Sequence, residues 1–96
     1  MRRPPWYRVQ LDLIVDALVE AHKLRLERRN NEHFHMWIAL RRNLTEPFDR
    51  RVGRRDVLAP LFQVYGKLTR AQPSALKTRL QNEAVVLSQE LRHIVR

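Results

Sequence analysis

The sequence predicts an all-α fold, a small helical bundle of three long helices plus a short or broken fourth element. Three observations carry that expectation. Apolar residues recur at spacings of three and four over long blocks, as a helix facing a core requires. No stretch shows the strict alternation of a half-buried strand. Pro4, Pro5, Pro47, Pro60 and Pro73 stand where helices would begin, the position at which a missing N–H is tolerated.

The first helix is expected over residues 6–29. Asp12, Asp16, Glu20, Lys23 and Glu27 fall on one narrow stripe, while Leu11, Leu13, Ile14, Leu18 and their apolar neighbours cover most of the remaining circumference. So wide an apolar surface needs two neighbours, within a bundle or across a homodimer. His22, Arg25, Arg28 and Arg29 interrupt the sector, so the core is expected to stop there and the tip to protrude.

Asn30 or Asn31 is the expected cap or break at the start of a second helix. Its apolar side is read as Phe34, Met36, Trp37, Ile38, Leu40 and Leu44, with Glu32, His35, Arg42 and Asn43 facing away. Arg41 falls among the apolar positions, so it must reach an edge, an acid or a ligand. Pro47 marks an end or a restart, and Gly53 can close a short turn in the left-handed conformation. Asp56 is the expected cap of a third helix over residues 57–72, whose apolar face is Val57, Leu58, Leu61, Phe62, Val64, Tyr65 and Leu68. The last helix starts near Pro73. Leu80, Ala84, Leu87, Leu91 and Ile94 form a narrow seam along it, too short for an autonomous coiled coil and suited to packing inside a bundle.

With 96 residues the chain is read as one basic helical domain, residues 1–5 forming a flexible N-terminal arm. Nineteen Lys+Arg stand against ten Asp+Glu, a formal charge of +9, which calls for an anionic partner. Only Lys23, Lys67 and Lys77 are lysines, and arginine suits bidentate phosphate contact better than lysine does. The absence of cysteine excludes thiolate and disulfide chemistry and fits a reducing compartment. The longest apolar run, "MWIAL", is far short of a membrane span, and the start reads as neither signal nor transit peptide. The expected location is intracellular, cytoplasmic or nuclear.

Enzyme signatures are missing: no Gly-rich phosphate loop, no H-E-x-x-H and no nucleophile elbow. His33 and His35, two apart, point away from each other on a helix and cannot share an ion. The acidic stripe Asp12, Asp16, Glu20 reads as a solvated face that pairs with cations. The expectation is a non-enzymatic protein without metal or cofactor.

The chemistry concentrates in "FDRRVGRRDV", residues 48–57. Val52 and Gly53 can bend the backbone so that Arg50, Arg51, Arg54 and Arg55 fan outward, with Asp49 and Asp56 capping local turns. Four such cations can span consecutive phosphates and give backbone affinity without base reading. Arg41, Arg42, Lys67 and Arg70 are the expected supporting contacts, with Arg2 and Arg3 on the arm. Between Val57 and Asn82 the chain carries four cations and no acid. Trp6 and Tyr7 can anchor the first helix or stack on bases.

The outward residues of the third helix are only Gln63, Lys67 and Arg70, so sequence-specific DNA reading is not favoured and RNA is. At the level of architecture, small basic helical proteins of two kinds would look like this: viral suppressors of silencing that grip duplex RNA as helical dimers, and small helical subunits of CRISPR effectors. No motif is diagnostic of either; they exemplify the mechanism. The expected partners are therefore nucleic acid and either a second copy or a larger ribonucleoprotein assembly. The alternative is a helical adaptor whose basic face docks an acidic protein, and a weaker one is attachment to anionic membranes.

Overall fold

The computed structural model describes residues 3–95, and among these every regular element is helical. α1 (Trp6–Leu26) and α5 (Pro73–Ile94) are the long rods, α2 (Asn30–Leu40) and α3 (Glu46–Val52) follow α1, and α4 (Ala59–Lys67) is short. A π-helical turn, Arg41–Thr45, joins α2 to α3 without a break, so the described residues form four helical rods, one of them carrying the π turn. The molecule measures 41 × 25 × 25 Å.

α1 presents Tyr7, Leu11, Ile14, Leu18 and Ala21 to the core. α5 runs antiparallel beside it, Lys77 reaching Asp16 and Pro73 lying near Lys23. The expected seam of α5 packs within the bundle: Leu80, Ala84, Leu87 and Leu91 are buried, whereas Ile94 at the end is exposed. α4 closes the core with Leu61, Val64 and Tyr65, and the rod carrying the π turn contributes Leu40 and Phe48. α1 does not bury all of its wide apolar sector, because α2 and α5 leave Val9 and Leu13 in solvent.

α1 ends three residues earlier than expected, at Leu26. The Arg29 N–H donates to the Leu24 carbonyl and the Arg28 N–H to that of Arg25, with Arg28 left-handed at φ 57°. These two bonds form a Schellman closure with arginine in the place glycine usually takes. On the surface of the turn the Arg29 guanidinium pairs with Glu27 before it and Glu32 after it. The break therefore lies at residues 27–29, and Asn30 opens α2 instead of ending a segment. Nor does the core stop at His22. Its side chain is fully buried against Tyr65 of α4 and the Ala71 carbonyl in the loop after it, whereas the tip from Leu26 to Arg29 is exposed, as expected.

The second rod differs in phase. Leu40 is buried and Met36, Trp37 and Leu44 are half-buried as expected, but Phe34 and Ile38 face solvent. Phe34, Ile38 and Arg41, at spacings of four and three, share one exposed strip, which resolves the position of Arg41. The π turn that follows holds one residue more than an α turn and so rotates the downstream face by about 100°. That rotation turns Phe48 inward under Trp6, ring centroids 5.6 Å apart. Pro47 sits in the first turn of α3, a restart as expected, and Gly53 ends α3 left-handed at φ 78°. Asp56 does not cap α4. Leu58 occupies that position, and Asp56 instead accepts the Ala59 N–H through its carbonyl and meets Arg54 Nε at 3.5 Å through its carboxylate. α4 consequently starts at Ala59, with Pro60 in its first turn, and ends at Lys67.

Candidate functional site

The segment from Asp49 to Asp56 is short and clamped at both ends. Phe48 is 1 % exposed on one side, and Val57 and Leu58 are 4 % and 1 % exposed on the other, so apolar burial pins the turn between α3 and α4. Gly53 makes the reversal, its N–H donating to the Asp49 carbonyl at 2.8 Å. A Cβ there would meet nothing within 4 Å, so glycine is required by φ alone.

This reversal and the start of the π turn enclose a groove of about 580 Å³ lined by Arg41, Glu46, Asp49, Arg50, Gly53, Arg54 and Arg55. Four guanidiniums face two carboxyls, an excess of positive charge on a concave surface. Burial pushes the Asp49 carboxyl up from its usual range, against the opposing pull of Arg41 and Arg55. Its Oδ1 is enclosed with no donor in reach. Asp49 thus lines the groove without taking up a donor of its guanidinium neighbours at Oδ1. Arg54 shares a long, exposed pair with Asp56, of little energetic weight.

Of the other residues singled out in the sequence, Arg42 lies in an adjoining depression with Ile38, Arg41 and Glu46, continuous with the groove through the last two. Arg51 points elsewhere: its guanidinium carbon stands 3.8 Å from the centre of the Trp6 ring. Trp6, edge-on to Tyr7 and tilted on Phe48, anchors α1 to the rod carrying the π turn. Lys67 lines a separate groove with Pro60, Gln63, Arg79 and Glu83 between α4 and α5. Arg70 is exposed in the loop after α4, Arg3 is exposed ahead of α1, and Arg2 lies outside the described residues. Glu46 was not singled out from the sequence. Its place in the groove follows from the π turn, which no local pattern announces.

A second feature lies at the other end of α2. His33, Phe34, Trp37 and Tyr65 line a slot of about 170 Å³. The rings of His33, Trp37 and Tyr65 are nearly parallel, with interplanar angles of 7° to 25° and centroids 5.4 to 6.4 Å apart. His33 Nε2 and the Tyr65 hydroxyl share a hydrogen bond of 2.7 Å. Burial, helped by Arg25, lowers the His33 pKa and so favours the neutral ring. Behind the slot, Arg25 covers the other side of Tyr65, 4.0 Å from its centroid, and donates to the Tyr65 carbonyl and to His22 Nδ1. The His22 proton therefore sits on Nε2, which donates to the Ala71 carbonyl at 2.6 Å. The sequence places His33, Phe34 and Trp37 together on α2. Tyr65 comes from α4 and is brought in only by the tertiary fold.

Among the described residues no group of three or more His, Asp or Glu side chains is arranged to hold a metal ion, and no helix is long and apolar enough to cross a membrane. Fold and groove together define a small, strongly basic, all-helical protein. No protein-family model, curated protein or solved structure matches the chain.

Proposed function

We propose that the protein binds the phosphate backbone of nucleic acid, without catalysing a reaction and without strong sequence specificity, as a homodimer or within a ribonucleoprotein assembly. One observation carries the reading: Arg41 joins Arg50, Arg54 and Arg55 from another part of the chain to line one groove on a molecule of charge +9. Arginine donors fixed on a concave, pinned backbone suit phosphate oxygens, and the clamped turn lowers the entropy lost on binding. RNA is favoured over sequence-specific DNA because α4 offers few outward polar side chains for base edges.

The test is a fluorescence-anisotropy titration of nuclease-treated protein against duplex RNA, single-stranded RNA, single-stranded DNA and duplex DNA at several salt concentrations. The expected log-log salt slope for the tightest ligand is about −3 or steeper, corresponding to roughly four neutralised phosphates. Alanine at Arg41, Arg50, Arg54 and Arg55 together should flatten it and weaken unrelated sequences alike. Failure to bind any of the four ligands at low salt would make the groove a docking site for an acidic protein instead.

A further inference from the structure

We propose that the slot formed by His33, Phe34, Trp37 and Tyr65 receives an unpaired nucleobase of a single strand whose phosphates lie in the arginine groove. The inference rests on the phosphate reading of that groove and narrows its ligand to single-stranded nucleic acid. Three observations on the molecule lead to it.

The first is the slot itself. Packing alone would bury aromatic side chains, yet Phe34 is 59 % exposed at the rim of three nearly parallel rings. Tyr65 is buried behind the slot, so a flat ring entering it stacks on the partly exposed His33 and Trp37 and on Phe34 at the rim, and every base offers a π-face, so such a site tolerates sequence. The His33 and Tyr65 rings are held by their mutual hydrogen bond, and Tyr65 is backed by Arg25, so the platform is ordered before a ligand arrives. An unpaired base fits this geometry. Bases within a duplex are stacked on each other and do not present a free face.

The second is continuity. Phe34, Ile38 and Arg41 form the exposed strip of α2, and Ile38 and Arg41 line the depression that adjoins the groove. Seven residues at 1.5 Å rise separate Phe34 from Arg41 by about 10 Å along the helix, within reach of one or two nucleotides of an extended strand. A path thus runs from an aromatic platform, over an apolar side chain, to four guanidiniums. The third is charge: the groove end of that path carries an excess of positive charge, matching a polyanion. An aromatic slot joined to a basic track is the combination that single-strand binders use.

The experiment compares the full-length protein's affinity for labelled oligothymidine and for a strand of equal length in which abasic sites replace the bases, so that phosphate charge is constant. Oligothymidine should bind about fivefold or more tighter, the lower end of what one stacked base contributes. Phe34→Ala, whose side chain is mostly in solvent, should remove most of that preference and leave the salt slope unchanged, while the quadruple arginine variant should weaken both strands. Equal affinity of the wild type for the two strands, with the arginine dependence intact, would overturn the base slot and leave the phosphate groove standing. Failure of both strands to bind would overturn the base slot and the single-strand ligand, and the phosphate groove would then stand or fall on the duplex ligands alone. The comparison of strands on the wild-type protein holds even if the Phe34 variant folds poorly.

Discussion

The Arg51 guanidinium lies over the Trp6 indole, 3.8 Å from the ring centre, and so this arginine of the basic cluster faces away from the groove its neighbours line. Two adjacent arginines on α3 accordingly do different things. Arg51→Ala should lower stability by about 0.5–1 kcal/mol through loss of the cation–π contact and of packing on Trp6. It should change nucleic-acid affinity less than twofold. Arg50→Ala should do the reverse, losing affinity with little change in Tm. Chemical denaturation and anisotropy on the same two variants check this, and equal losses of affinity would show that the two guanidiniums act alike.

Asp49 gives a prediction of opposite sign. Its carboxyl is held up by burial, so the folded state binds a proton more readily than the unfolded chain. The associated stability is present below the ordinary value of 3.8 and is lost as pH rises through the raised folded pKa. Asp49→Asn should therefore be more stable than wild type at neutral pH. It should also bind single strands about threefold tighter, since removing a unit charge at ~7 Å from a phosphate is worth about 0.6 kcal/mol in a water-like dielectric. A weaker-binding Asn variant would mean that the carboxylate orients the groove arginines.

His33 makes stability depend on pH near neutrality. Burial lowers its folded pKa below 6.5, so the unfolded chain takes up the proton first. Stability from this group is complete above that value and declines as pH falls from it toward the lowered folded pKa. Thermal melts at pH 7.5 and 5.5 should show a larger drop for wild type than for His33→Gln. Parallel drops would assign the acid sensitivity to other groups, chiefly the rising net positive charge.

Arg28 closes α1 at φ 57°, a conformation that costs a side-chain-bearing residue about 1 kcal/mol relative to glycine. Arg28→Gly should raise stability by about 0.5 kcal/mol, the gain being reduced by the larger entropy of the unfolded glycine chain. A denaturant midpoint that falls instead would show that the exposed arginine side chain contributes more than the strained backbone costs.

The elements were legible where local pattern and local packing agree. Leu80, Ala84, Leu87 and Leu91 form a seam in the sequence and a buried seam in the bundle, and Gly53 was read as a left-handed stop because few residues besides glycine tolerate one. Arg28 defeats the same logic. The sequence offers no glycine there, and the turn is closed by the backbone hydrogen bonds of Arg28 and Arg29, with the exposed pairs of Arg29 to Glu27 and Glu32 adding little. The phase of the second rod was misjudged for a similar reason. Phe34 and Ile38 are apolar enough for a core, and only the positions of α1 and α4 decide that Trp37 and Leu40 go in while those two stay out.

By itself the sequence determined the helical class, the approximate rods and the excess of positive charge, because periodicity, proline and glycine act over a few residues and charge simply adds. The tertiary structure alone decided which arginines converge. Arg41 joins Arg50, Arg54 and Arg55 because one π turn and one glycine reversal fold them around Asp49, while Arg51 follows the helical phase of α3 onto Trp6. Tyr65 reaches His33 from another helix altogether. Such convergence depends on the angles between packed rods, and those angles are set by the shapes of buried side chains distant in the chain, which no local pattern encodes.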